Sequence, residues 1–129
     1  MAFVTRTIGA TADAMAPDGS EVRLLASTER CSMAHFRLAP GKTSKAVAHR
    51  TVEEVWYFVS GEGEMWRQGA GGEETVAVSA GVSIAIPVGV SFQFRSTGDS
   101  PLEAVAVTMP PWPGAGEAEF VASIWEATV

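Results

Sequence analysis

The stretch GKTSKAVAHRTVEEVWYFVSG, residues 41–61, sets His49 beside the short apolar run Ala46-Val47-Ala48 and Glu54 at the head of the apolar run Val55 to Val59, between two glycines. Successive side chains of a strand point to opposite faces, so Val47 and His49, two apart, share one face. From Glu54 to Ser60 the chain alternates Glu54, Trp56 and Phe58 against Val55, Tyr57 and Val59. Both faces are largely apolar, which predicts a strand lying between two covered layers and away from a sheet edge. The same alternation sends Glu53 to the face opposite Glu54, where it is expected to be solvated. Gly61-Glu62-Gly63 then breaks the strand. A second stretch, GVSIAIPVGVSFQFRS, residues 81–96, is built the same way. Its apolar run Val82 to Ile86 ends at Pro87, whose fixed φ and missing N–H suit a strand end, and Gly89 supplies the turn before Ser91 to Arg95.

Working outward, glycines and prolines punctuate further short runs rich in Val, Ile, Phe, Trp and Thr, the residues strands favour. Glu21 to Leu25, Cys31 to Leu38, Thr43 to His49, Glu64 to Arg67, Thr75 to Val78 and Leu102 to Met109 complete roughly eight or nine strands, at the spacing of all-β barrels and sandwiches. Gly69 to Gly72 forms a hairpin tip. Three prolines in Met109-Pro-Pro-Trp112-Pro-Gly114 exclude regular structure and predict a fixed extended crossing. Beyond it, Phe120, Val121, Ile124 and Trp125 fall at helical spacing, which predicts a short amphipathic helix within Glu117 to Ala127.

The spacings Gly41-x5-Val47-x-His49-x4-Glu54-x6-Gly61 and Gly81-x5-Pro87-x-Gly89-x2-Phe92-x3-Ser96 resemble the two signature motifs of the cupin superfamily, and the likeness covers about residues 31–109. The resemblance implies a jelly-roll barrel of antiparallel strands, a double-stranded β-helix, with a pocket lined by motif residues. It also implies a homodimer, for which the alternating β-branched segment Phe3 to Ile8 would be an N-terminal strand exchanged onto the partner. In a metal-bearing member the first motif supplies two histidines and a glutamate, and the second supplies a third histidine. Here those positions read Val47, His49, Glu54 and Phe92.

An isopropyl or benzyl group cannot donate an electron pair, so only His49 and Glu54 of the four remain as ligands, and the usual catalytic zinc or non-haem iron site has three. No metal and no other cofactor is therefore expected. His35, Gln93 and Cys31 are the residues that could restore a ligand set. Alternation places His35 with Met33 and Arg37 on the outer face, Gln93 points away from Phe92 in a regular strand, and Cys31 reads as a small buried hydrophobe.

An imidazole and a carboxylate in an apolar barrel can take a proton from one atom of a bound molecule and return it at another, the minimal equipment for isomerisation, elimination or cyclisation. His49 and Glu54 are thus the catalytic candidates, although the same pair could equally serve as a structural hydrogen bond across the strands. Val47, Trp56, Phe58, Phe92 and Phe94 would form an aromatic, apolar wall suited to a flat or hydrophobic small molecule. Arg67, and secondarily Arg95, would hold a ligand carboxylate at the rim. Three other readings stay open: a non-catalytic binding or sensing module, a metal-dependent enzyme with a non-standard ligand set, and a structural domain whose barrel is filled by its own side chains.

At 129 residues the chain suits one domain. Fifteen acidic against nine basic residues give a net charge of −6, which would repel a phosphate backbone and argues against a nucleic-acid partner. No apolar run approaches the roughly 20 residues a membrane helix needs. A single cysteine allows no internal disulfide, and the start lacks a secretory pattern, so a cytoplasmic location is expected. No Gly-rich phosphate loop, His-Glu-x-x-His or Cys-x-x-Cys motif is found.

Overall fold

The computed structural model describes residues 3–129. The chain runs β1 (Ala14–Met15), β2 (Glu21–Ser27), β3 (Ser32–Leu38), β4 (Val47–His49), β5 (Glu53–Ser60), β6 (Glu62–Gly69), β7 (Gly72–Ser79), β8 (Ser83–Ile86), β9 (Ser91–Ser96), β10 (Leu102–Met109) and β11 (Ala118–Phe120). They pair antiparallel into a six-stranded sheet, β1-β2-β3-β10-β5-β8, and a five-stranded sheet, β11-β4-β9-β6-β7. The sheets face each other, the jelly-roll arrangement that the resemblance implies. Every strand expected between Glu21 and Met109 is present, with two short ones, β1 and β11, in addition, whereas Phe3 to Ile8 forms no strand among the described residues.

Period-two alternation decides what each strand buries. Along β10, Leu102, Ala104, Ala106 and Thr108 point inward and are buried, whereas their neighbours are half-buried. Along β5, Glu54, Trp56 and Phe58 point inward. Leu38, Met65, Ile86, Phe92 and Phe94 close on them from both sheets, so one apolar core fills the space between the layers. The outer face of β5 departs from expectation. Val55, Tyr57 and Val59 are 46%, 53% and 42% exposed, so the strand is interior to its sheet, between β10 and β8, but has a cover on one face only.

The C-terminal segment corrects the sequence expectation. Instead of a helix within Glu117 to Ala127, the chain makes one 3-10 turn at Ala115–Glu117, adds β11 to the edge of β4, and runs on without regular structure, bending at Ile124 and Trp125. The helical spacing of Phe120, Val121, Ile124 and Trp125 loses to backbone pairing with an open sheet edge. Val121 N donates to Ala46 O, Thr128 N donates to Thr43 O, and Thr43 N donates to Thr128 Oγ1. Gln93, fully buried, completes the attachment: its Nε2 donates to Ser44 O and Trp125 O, and its Oε1 accepts from Ile124 N and Trp125 N. The guanidinium of Arg95 lies 4.2 Å over the Trp125 ring. At the other end, residues 3–8 join no strand within this chain, and Phe3 is 94% exposed. Arg23 fixes the following residues by donating to Gly9 O and Ala10 O.

The turn between β5 and β6 is the tightest crossing of the fold. Gly61 has φ +83°, where a side chain is strained, and a Cβ at Gly63 would overlap the Arg95 carbonyl and the Leu102 side chain. Gly63→Ala is expected to cost about 1–3 kcal/mol by overpacking. Gly71→Ala, at a hairpin tip where a Cβ would meet nothing within 4 Å, is expected to change stability little. Urea denaturation of the two variants checks the contrast.

Candidate functional site

His49 and Glu54 come from different sheets. His49 ends β4 in the five-stranded sheet and Glu54 lies in β5 of the six-stranded one, so the connection at residues 50–52 carries the chain from one layer to the other. The two side chains meet inside: His49 Nδ1 lies 2.8 Å from Glu54 Oε1, and they are 6% and 3% exposed. The contact lacks the alignment of a hydrogen bond. Glu54 Oε2 accepts from Trp56 Nε1 at 3.2 Å. The His49 ring meets Phe92 and Trp112 edge-on, with centroids 5.2 and 5.0 Å away.

Above this pair opens a cavity of about 520 Å3, within the roughly 300–1,000 Å3 of small-ligand sites. Val47, Trp56 and Phe92 line it as expected from sequence, joined by Phe36, which stacks on Trp56 at 5.0 Å, and by Trp112. Val47 and Phe92 are directly paired across β4 and β9, so two hydrocarbon side chains occupy one patch of the floor. The Pro-rich crossing after β10 seats Trp112 there, its main-chain N–H donating to Ser32 Oγ at 3.0 Å. The Ser32 and Thr108 hydroxyls, bonded to each other, give that wall a polar edge.

Other expected positions fall elsewhere. Phe58 and Phe94 have the right parity but pack behind Trp56 in the core, outside the cavity lining. Arg67 donates to Ala85 O, and Arg95 binds Glu64 and Trp125, so neither stands at the cavity. The arginine that does line it is Arg6, from the N-terminal segment. His35 faces outward and lies 3.3 Å from Glu103. Its burial pushes the imidazole pKa down, against the pull of Glu103. Gln93 is committed to the C-terminal segment, and Cys31 meets the Thr28 hydroxyl. None of the three lines the cavity, and among the described residues no three His, Cys, Asp or Glu side chains gather as metal ligands do. The donor set does not fit the metal that the two motifs imply in other members.

Two carboxylates escaped the sequence reading. Asp18, in the connection between β1 and β2, is 5% exposed and lines the cavity. Burial pushes its pKa above the ordinary 3.8, against the pull of two bonds from Ser20. Glu117, expected in a helix, grips the connection between His49 and Glu54. It accepts from the N–H groups of Thr51 and Val52 and from the Thr51 hydroxyl. Removal from water pushes the Glu117 pKa up, but these donors, with the charge of His49 adding to them, outweigh that and hold it below the ordinary 4.5. Its shielding comes from the turn it binds and not from the core. No spacing rule pointed to either residue, because both act through backbone far away in sequence.

Since the folded protein favours the Glu117 carboxylate, that group's stabilisation is present above the unfolded value of 4.5 and is lost as pH falls through the folded value. Glu117→Gln is expected to lower stability at neutral pH by about 1–3 kcal/mol and to lose less than the parent on acidification. Denaturation midpoints from neutral to acidic pH check both.

Comparison with known proteins supports the same architecture. A family profile described as "Cupin domain" matches residues 34–108. The xanthan biosynthesis protein XanB of Xanthomonas campestris pv. campestris is 32% identical over 79 residues, covering 61% of this chain and 16% of that protein. Among solved structures, a deletion mutant of the oxalate decarboxylase OxdC of Bacillus subtilis superposes with a TM-score of 0.66 at 21% identity, over 73% of this chain and 27% of that one. The same enzyme at pH 4.6 gives 0.65 at 20%, over 74% and 27%. This chain thus spans a minor part of each of these relatives, and the structural likeness speaks for the fold alone. No helix in the described residues is long and apolar enough to cross a membrane. With the profile spanning more than half of its length, this chain belongs to the cupin domain family.

Proposed function

We propose that the chain works as a single cupin domain that binds a small apolar or aromatic molecule in its cavity and uses His49 to move a proton on it, with Glu54 as partner. The observation that carries this reading is the buried imidazole–carboxylate contact at 2.8 Å on the floor of an aromatic cavity. His49 takes a proton from one atom of the ligand and returns it at another, and Glu54 stabilises the charge on the ring meanwhile. The pair ends as it began, so the reaction class is isomerisation, elimination or cyclisation, with no oxidant or reductant consumed. Val47, Trp56 and Phe92 supply the apolar grip. The acting protein is taken to be cytoplasmic.

A panel of indoles, phenols and aryl ketones, followed through the fluorescence of Trp56 and Trp112, is expected to yield binders. For any that are converted, His49→Ala and Glu54→Gln are expected to reduce turnover by at least about 100-fold, the usual scale of acid–base catalysis. Undiminished turnover in both variants would overturn the proton-transfer role, whereas binding without conversion would reduce the reading to a binding or sensing module.

The homodimer implied by the resemblance is part of the same reading. Supporting it, the outer face of the six-stranded sheet exposes Met33, Val55, Tyr57 and Val59, and the segment from Phe3 to Ile8, which exposes Phe3, Val4 and Ile8, joins no strand among the described residues. Light scattering after size exclusion is expected to give twice the 13.5 kDa chain mass, and Tyr57→Lys to shift the population towards monomer. A monomeric parent at every concentration would remove the assembly.

A further inference from the structure

We propose that Asp18 is a further ligand-contacting residue of this cavity, donating a hydrogen bond to an acceptor oxygen, a carbonyl or carboxylate, on the apolar ligand. The proposal rests on the ligand reading above and adds the polar group that such a ligand carries.

Asp18 stands in the turn between β1 and β2 and lines the same cavity as His49 and Glu54. Ser20 donates twice, from its main-chain N at 2.9 Å and its hydroxyl at 2.6 Å, and both bonds fall on Oδ1. Lys45 N takes the main-chain carbonyl of Asp18. The turn thus uses one side-chain oxygen, and an asparagine would serve it as well. Among the described residues Oδ2 has no hydrogen-bond partner, and the residue lines the cavity.

The neighbours decide what this oxygen can do. Glu54 already meets His49 with Oε1 and Trp56 with Oε2, and the hydroxyls of Ser32 and Thr108 bond to each other. Among the described residues, Asp18 is therefore the lining carboxyl with an oxygen still uncommitted. Burial pushes its pKa up, the Ser20 bonds and His49 pull against this, and the nearby Glu54 charge adds to the rise, so the neutral carboxyl persists to higher pH than in an ordinary aspartate. A protonated carboxyl donates, as an ionised one cannot. An ammonium ligand would need Asp18 ionised and would share the cavity with the guanidinium of Arg6, so an acceptor oxygen is the better complement.

Acetophenone and ethylbenzene have nearly the same shape and differ in one acceptor oxygen, which makes them direct probes. Titrated into the intact protein and followed by amide NMR, acetophenone is expected to bind about threefold to tenfold more tightly, the worth of one neutral hydrogen bond. The preference is expected to be full while Asp18 is protonated and to fade as pH rises through its own titration, read from its carboxyl carbon. Asp18→Asn keeps an N–H donor and the Ser20 bonds, so it is expected to keep the preference and lose its pH dependence. Asp18→Ala is expected to lose the preference.

Equal affinity of the two probes for the parent overturns the Asp18 assignment and leaves the apolar cavity standing. So does a preference that survives Asp18→Ala, or a pH profile unchanged in Asp18→Asn. Failure of both probes to bind overturns the cavity reading itself.

Discussion

The turn at residues 50–52 has to hold two sheets in register, because His49 lies on one side of it in β4 and Glu54 on the other in β5. Three residues with no regular hydrogen bonds of their own cannot do this unaided. Glu117 supplies the missing partners by gathering the Thr51 and Val52 N–H groups and the Thr51 hydroxyl onto one carboxylate. Arg50 adds a main-chain bond to Glu117 O and a side-chain bond to Gly116 O. A charged acceptor that satisfies buried donors is worth more than a neutral one, and it leaves no orphaned N–H beside an apolar cavity. The 2.8 Å contact between His49 and Glu54 depends on this attachment.

The same dependence explains the C-terminal segment. A helix there would have buried one stripe of apolar residues but left the β4 edge unpaired and Glu117 facing solvent. As a non-helical chain it pairs with β4 through β11, continues past Ala46 to Thr43, and is held from the inner side by Gln93. Both ends of β4 are thereby tied, Arg50 to Glu117 and Ala46 to Val121. A three-residue strand would otherwise be a weak platform for the histidine on which the site turns.

How far the sequence revealed this follows from the range of each interaction. Strands were readable because period-two alternation and glycine or proline breaks are local, and the two motifs, 20 residues apart between Gly61 and Gly81, could be matched by spacing alone. His49, Glu54, Val47, Trp56 and Phe92 line one cavity, and all five belong to or flank those motifs. Phe58 and Phe94 share the parity of their neighbours, but parity gives a face and not a depth along the barrel. Arg67 and Arg95 were chosen for charge near the motif, whereas their partners, Ala85 O and Glu64, are set by cross-strand register. Asp18 and Glu117 were invisible as site residues because each earns its position through contacts 27 or more residues away, to Lys45 and to Thr51.

Hydrocarbon at only one of the two altered motif positions would be a poor solution, and the register shows why. Val47 and Phe92 are opposite one another across β4 and β9, each about 1% exposed. A histidine facing either would stand against hydrocarbon with at least one ring nitrogen unpaired, a cost of roughly 1–3 kcal/mol for a buried polar group. With both positions apolar, they pack against each other and the penalty disappears. The remaining imidazole and carboxylate then have one another, Trp56 Nε1 and the aromatic edges of Phe92 and Trp112 for company. The close contact of His49 with Glu54 and the greasy floor are therefore one arrangement, in which Val47 and Phe92 pack as hydrocarbon beside the polar pair.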